Sequence, residues 1–336
     1  MTELANSQTL HVERFRRKVA IGTTFVIVVF GALALAPYVL DTSITQDWVK
    51  LFYLISLASM WNLLAGYAGM VSVGQQAFIG LGAYGVFVFN DMGYSAYLSG
   101  IIATVIIGVI AFPLSFLAFR LRGGYFAIGT WVIAETVRLI IIRFPSLGSG
   151  KGRNIANYTP DPTLRNTYTY WMALGVLIFA LGASFTLLRS RLGLALQSIR
   201  DNEVAATSLG VNVNRVKRIV YVLAAMGSAG AGAVICVQAI GVASPTQIFG
   251  VTYSAFMIFM VLIGGLGTIE GPVIGALIYF FMDKYFSQQG LWYLVALGLV
   301  AIIVTLFFPK GIWGEINARW KISLFPVGYQ VFAKKK

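Results

Sequence analysis

Residues 98–119 read LSGIIATVIIGVIAFPLSFLAF, with no charged side chain until Arg120. Coiled as an α-helix at about 1.5 Å per residue, this stretch rises roughly 33 Å, enough to cross the ~30 Å hydrocarbon core of a bilayer. Comparable apolar runs recur near 19–38, 50–67, 71–89, 125–142, 170–188, 219–240, 251–266, 272–282 and 291–308. Over all 336 residues, 58% are hydrophobic and only 11% are charged, against about 25% charged in soluble domains. So few charges could not cover the surface of a soluble protein of this length. The expected fold is all-α, a polytopic transmembrane helical bundle of about ten candidate spans. The eighth and ninth are short and separated by Gly264, Gly265, Gly267, Gly271 and Pro272. A broken or re-entrant segment there would leave eight or nine crossings.

The charges between the runs set the expected orientation. With the N-terminus inside, the inner segments carry Arg14, Arg16, Arg17 and Lys18; Arg120 and Arg122; Arg189, Arg191, Arg200, Arg215, Lys217 and Arg218; and Lys310, Arg319, Lys321, Lys334, Lys335 and Lys336. The outer segments carry Lys50, Arg143, Lys151, Arg153, Arg165 and Lys284. Eighteen against six agrees with the positive-inside rule, so both termini are expected to be cytoplasmic. The net charge of +13 belongs to this arrangement and to contact with anionic lipid. No basic stretch is interleaved with stacking aromatics, so nucleic acid is excluded as a partner. The first run is longer than the 7–15-residue core of a secretory signal and is expected to stay as a helix.

The organisation that follows is a cytoplasmic tail over 1–18, one transmembrane permease domain over 19–308, and a basic cytoplasmic tail over 309–336. Two connections are long: an outer loop, 143–169, and an inner loop, 189–218. Glycines cluster inside the runs, as in Gly227, Gly230 and Gly232, where small residues let helix backbones approach closely in lipid. Cys236 is the only cysteine and lies in an apolar run, and His11 is the only histidine. Neither a disulfide within the chain nor a metal site is expected, no cofactor is implied, and no cluster of acids, His and Cys suggests catalysis. Gly148-Ser149-Gly150-Lys151 is followed by Gly152 rather than Ser or Thr and faces outward, so it is no phosphate loop. Any ATP used must be bound by another polypeptide.

Chemistry is expected at two places. The inner loop is expected to form a short helix from Leu194 to Leu209. It carries Arg200, Asp201, Asn202, Glu203, Ala205, Ala206 and Gly210. Its small residues suit docking into a partner's groove, with Glu203 available to pair across that contact and Gly210 ending the helix in the left-handed conformation. In the fifth span, Glu135 and Arg138 sit three residues apart at a depth where a lone charge costs about 2.5–3.5 kcal/mol. Their spacing lets them pair on one helix face, either to fix packing or to line a path.

Four segments carry a family resemblance. They are Asn62 to Gly69 (NLLAGYAG) with Ser72 to Gln75 (SVGQ), Leu121 to Ile128 (LRGGYFAI), the inner loop with its E-x-A-A-x-x-x-G pattern, and Ser244-Pro245 with Gly264 to Pro272 (GGLGTIEGP). Over nearly its full length the chain resembles the M-type permease subunit of the branched-chain amino acid ABC importers, relatives of the urea ABC permeases. The resemblance implies a multi-pass subunit of a bacterial-type inner membrane with no nucleotide site of its own. It further implies a homologous second permease, two ABC ATPase subunits and an extracytoplasmic substrate-binding protein as partners, and amino acids as cargo. The inner loop would then be the ATPase-coupling loop. Gln75 stands where many amino-acid members have His and urea-type members often have Gln, which leaves urea or another small polar solute as the alternative cargo. Gln75, Gln76, Glu135 and Arg138 are the candidate polar residues of a translocation path. An ion-coupled secondary transporter is the rival class; it calls for intramembrane acids near discontinuous helices, and Glu135 has a local Arg to neutralise it.

Overall fold

The structure, a computed structural model, describes residues 9–13, 28–156, 158–159, 161–239, 244–320 and 330–334. The basic cluster Arg14 to Lys18, the first part of the 19–38 run, and Lys321, Lys335 and Lys336 lie outside these residues. The helices are α1 (Val28–Tyr38), α2 (Thr42–Asn62, continued by a π-helical turn over Leu63–Tyr67), α3 (Gln76–Asp91), α4 (Ala96–Ala118), α5 (Gly124–Ile142), α6 (Pro162–Arg189), α7 (Arg191–Asp201), α8 (Glu203–Ser208), α9 (Val213–Gln238), α10 (Pro245–Ile248), α11 (Val251–Gly264), α12 (Glu270–Phe286), α13 (Leu291–Phe307) and α14 (Gly311–Trp320). Each of the ten apolar runs overlaps a helix, the first over its described residues 28–38. Among the described residues, seven segments are long and apolar enough to cross a membrane, whereas α1, α3 and α12 are shorter. The 16 residues of α3 rise only ~24 Å.

The bundle is built around α9, α2 and α3. α9 packs against α2, α3, α4 and α6, while α12 and α11 close on the far side of α2. Backbones touch where the sequence supplies glycine. A Cβ on Gly82 or Gly232 would fall about 2 Å from a carbonyl oxygen of Ala229 or Ile79 across the α3–α9 contact. The same holds for Gly264 and Gly275 between α11 and α12, so the glycine-rich stretch after 263 turns one helix tightly onto the next. α5 is peripheral. It lies on α3 and α10 and buries one stripe, Phe126, Thr130 and Ala134.

Three expectations need correction. The membrane part is helical, but Thr9–Glu13 and Gln330–Lys334 pair as an antiparallel ribbon, which brings the two ends of the chain together. The expected helix from Leu194 to Leu209 is two helices, α7 and α8. The break is at Asn202, whose backbone is extended (φ −159°, ψ 108°) and whose side chain accepts from Val204 N and Ala205 N; such a side chain offers the backbone an alternative to helix. The helices also extend beyond the apolar runs, with α2 starting at Thr42 and α6 at Pro162, where Asp161 caps α6 by accepting from Thr163 N.

Candidate coupling and translocation site

Three of the four sequence segments meet at one junction, the end of α2 where it faces α7. The π turn over Leu63–Tyr67 disturbs the regular backbone ladder, a distortion often found at functional positions. Arg200, in the last turn of α7, donates from Nη1 to the Gly66 carbonyl at 2.8 Å. Asn62 faces the turn between α11 and α12: its Nδ2 donates to Thr268 O at 2.7 Å, and its Oδ1 accepts from Gly267 N at 2.8 Å. Gly267 has φ +76°, and a Cβ there would come within 2.6 Å of Arg200 Nη1. Only glycine meets both demands without displacing the guanidinium. Thr268 also caps α12, its Oγ1 accepting from Gly271 N at 3.0 Å. One asparagine thus ties α2 to the α11–α12 turn, and one arginine ties α7 to α2.

Between α2 and α3 the chain runs non-helically over residues 69–75. Non-helical backbone at membrane depth persists only where protein or water satisfies it, and here side chains do so. Trp61 Nε1 donates to Ser72 O at 2.8 Å, Thr130 Oγ1 accepts from Val73 N at 3.2 Å, and Ser254 Oγ lies 3.1 Å from Val73 O. Gln76 pairs through Oε1 with Ser254 Oγ. Gln75 is fully buried and accepts from Ser228 Oγ at 3.1 Å, while its Nε2 has no partner. The two candidate path glutamines therefore lie inside the contacts of α3 with α9 and α11. The sequence marked Asn62, Gln75 and Gln76 through the motif, but Thr130, Ser228 and Ser254 carried no signal, being common polar residues on three different helices.

Glu135 and Arg138 pair on α5, with Arg138 Nε 3.0 Å from both carboxylate oxygens. Their side chains remain 44% and 20% exposed, and none of the Asn62–Arg200 contacts involves them.

The inner loop presents a different face from the one its small residues suggested. Ala206 is buried in the apolar cluster that also holds Val213, Val216 and Val220 of α9, and Glu203 accepts from Lys217 Nζ at 2.6 Å, so both are engaged within the chain. Gly210 has φ +83°, and Val211 N donates to Ala206 O at 3.1 Å, which closes α8. From Asp201 to Gly210 every residue but Ala206 is exposed, and the apolar part of that surface is Ala205 with Val204 and Leu209, the last two 76% and 80% exposed.

At the opposite end, α2 is clamped to α12 by the pairs Lys50–Asp283 and Lys284–Asp47. Arg153 holds the 143–169 loop to the end of α3 through a two-pronged contact with Asp91, at 2.6 and 2.7 Å.

A family model described as the permease component of branched-chain amino acid transport systems matches residues 44–308. Among curated proteins, the chain is 24% identical over 292 residues to the high-affinity branched-chain amino acid transport system permease protein LivM of Escherichia coli K12, covering 78% of this chain and 68% of that protein. The LivM protein of Salmonella typhimurium LT2 matches to the same extent. The ribose import permease protein RbsC of Escherichia coli K12 is 28% identical over 187 residues, covering 52% of this chain and 58% of that one. No solved structure matches the chain.

Proposed function

Because the chain belongs to the family of branched-chain amino acid transport permeases, and is accordingly a multi-pass permease component of an inner-membrane importer, we propose that it carries branched-chain amino acids with ATP hydrolysed by partner subunits. In this reading the partners are a homologous second permease, two ABC ATPase subunits and an extracytoplasmic binding protein, and the chain holds no nucleotide site itself. Its ten helical segments all cross, with both termini and residues 189–218 in the cytoplasm and residues 143–169 outside. Urea or another small polar solute is the second reading for the cargo, favoured by Gln75 alone.

The observation that carries the mechanism is the contact of Arg200 with the Gly66 carbonyl. α8 offers Val204, Ala205 and Leu209 to the ATPase. Asn202 joins α8 to α7, and α7 ends on Arg200. A push on α8 therefore reaches the π turn of α2, and through Asn62 it reaches the α11–α12 turn. The non-helical segment 69–75 follows the π turn, and at its end the buried Gln75 and Gln76 would meet cargo once the α3, α9 and α11 contacts part. Glu135 and Arg138, half-exposed on α5, would face the second permease or the path rather than lipid, since a charge at that depth needs protein or water beside it.

The test is Val204→Asp with Leu209→Asp, assayed by pull-down of the ATPase subunits and by ATP-dependent uptake in reconstituted vesicles. Loss of ATPase binding with normal membrane insertion is expected, because two exposed apolar contacts become charged without touching the chain's own packing. Full binding and uptake in the double variant would sink the coupling role of α8.

A further inference from the structure

An apolar cavity of about 690 Å³ opens between α4, α6 and α9, away from the junction described above. Ile101 and Val105 of α4 form one wall, Met172, Val176 and Phe179 of α6 the other, and Met226 with Gly230 of α9 the floor. Thr104 is polar, but its hydroxyl is bound to Gly100 O at 2.8 Å. Such a lining offers little to a polar solute and suits hydrocarbon.

We propose that this groove holds one acyl chain of a phospholipid from the outer leaflet, bound at a fixed site rather than as part of the surrounding bilayer. Four observations carry the assignment. The groove lies between spanning helices, and Ile101 and Val105 on its α4 side are exposed and apolar, as lipid-facing surface is. Its length along α6, from Tyr168 to Phe179, is roughly 17 Å, close to half of the ~30 Å hydrocarbon core and so to the depth of one leaflet. Its outer mouth is framed by Tyr97, Tyr168 and Trp171, side chains that concentrate at headgroup level. Tyr97 stacks on Tyr158, over whose ring the Arg165 guanidinium lies at 5.4 Å, and Arg165 meets no carboxylate within 4 Å among the described residues. That sets a cation, already seated on the Tyr158 ring, next to the aromatic frame of the mouth, and the lipid phosphate is assigned to it.

Gly175 faces this cavity and has nothing within 4 Å of where a Cβ would stand, so Gly175→Leu fills the groove without a clash, and Ile101→Trp fills it from the other wall. The experiment feeds cells a fatty acid bearing a photoreactive group in its chain, irradiates native membranes, and maps phospholipid adducts on the full chain. Adducts on 97–105 and 168–179 are expected at several times the yield found at Ile302 and Leu306, exposed positions of α13 that report bulk lipid. In both filling variants they should drop to that bulk level, and Arg165→Gln should lower them in part. Bulk-level adducts in the unaltered chain, or yields unchanged in both filling variants, would overturn the proposal. So would a disulfide from Val105→Cys to another polypeptide in the membrane, which would make the occupant a protein.

Discussion

Arg200 has a partner, the Gly66 carbonyl, that no reading of residue types could assign, because 134 positions separate them. The residue is partly exposed, so solvent screens the contact, and Arg200→Ala should cost only about 1 kcal/mol of stability. Its expected signature is functional: ATPase subunits still bind, hydrolysis continues, and uptake falls steeply. Arg200→Lys should recover less than half of the uptake, since a lysine presents a point charge in place of a planar fork held against Gly267. Coupled uptake in Arg200→Ala equal to the unaltered chain would show that α7 transmits nothing by this route. The Glu135–Arg138 pair, by contrast, was legible from its spacing of three. Glu135→Gln or Arg138→Gln alone should reduce the yield of monodisperse protein, and the double change should restore much of it, because one leftover charge in the bilayer is worse than none. Equal yields across the three variants would mean that water already solvates both.

Among the elements, α7 and α8 show how one side chain redirects a helix. The amphipathic run 194–209 reads as continuous, yet Asn202 caps α8 by accepting at 3.0 Å from both Val204 N and Ala205 N. Removing it in Asn202→Ala should cost about 0.5–2 kcal/mol, as lost caps do, and should let residues 203–208 exchange amide hydrogen faster than 191–199. If exchange in α8 is unchanged, the cap is not what holds it. The interior position of Ala206 also changes what a bulky residue there would report. Ala206→Trp overpacks the α8–α9 contact at about 1–3 kcal/mol, a cost to the chain's own fold before any partner is met. Val204 and Leu209 are the cleaner probes of docking.

For the whole molecule, the charge asymmetry and the end-to-end ribbon make a joint statement. The eighteen-to-six bias assigns both ends to one side, and the pairing of Thr9–Glu13 with Gln330–Lys334 brings those ends into contact. A Cys at Asn154 should react with an impermeant maleimide added to intact cells, and a Cys at Ser208 should react only after permeabilisation. The buried Cys236 gives a quiet background. Labelling of Ser208→Cys from outside would invert the orientation. At the end of the bundle away from α7, the pairs Lys50–Asp283 and Lys284–Asp47 hold α2 against α12.

By itself the sequence determined the helical, many-span membrane fold, since a chain with so few charges and such long apolar runs has no other way to satisfy its backbone in lipid. It also determined where the glycine-mediated contacts occur, because close backbone approach requires the missing Cβ, and which four segments carry the family. Only the tertiary structure decided what those segments do to one another: that Asn62, Gly66, Arg200 and Gly267 form one junction, that Gln75 and Gln76 are interior, and that Ala206 and Glu203 are occupied within the chain. Apolar patterning reports which residues leave water, and in a bilayer nearly all faces of a helix do, so periodicity loses its power to tell lipid-facing from core-facing sides. Which helix lies beside which is then set by local shape and a few long-range hydrogen bonds, and these exist only once the chain has packed.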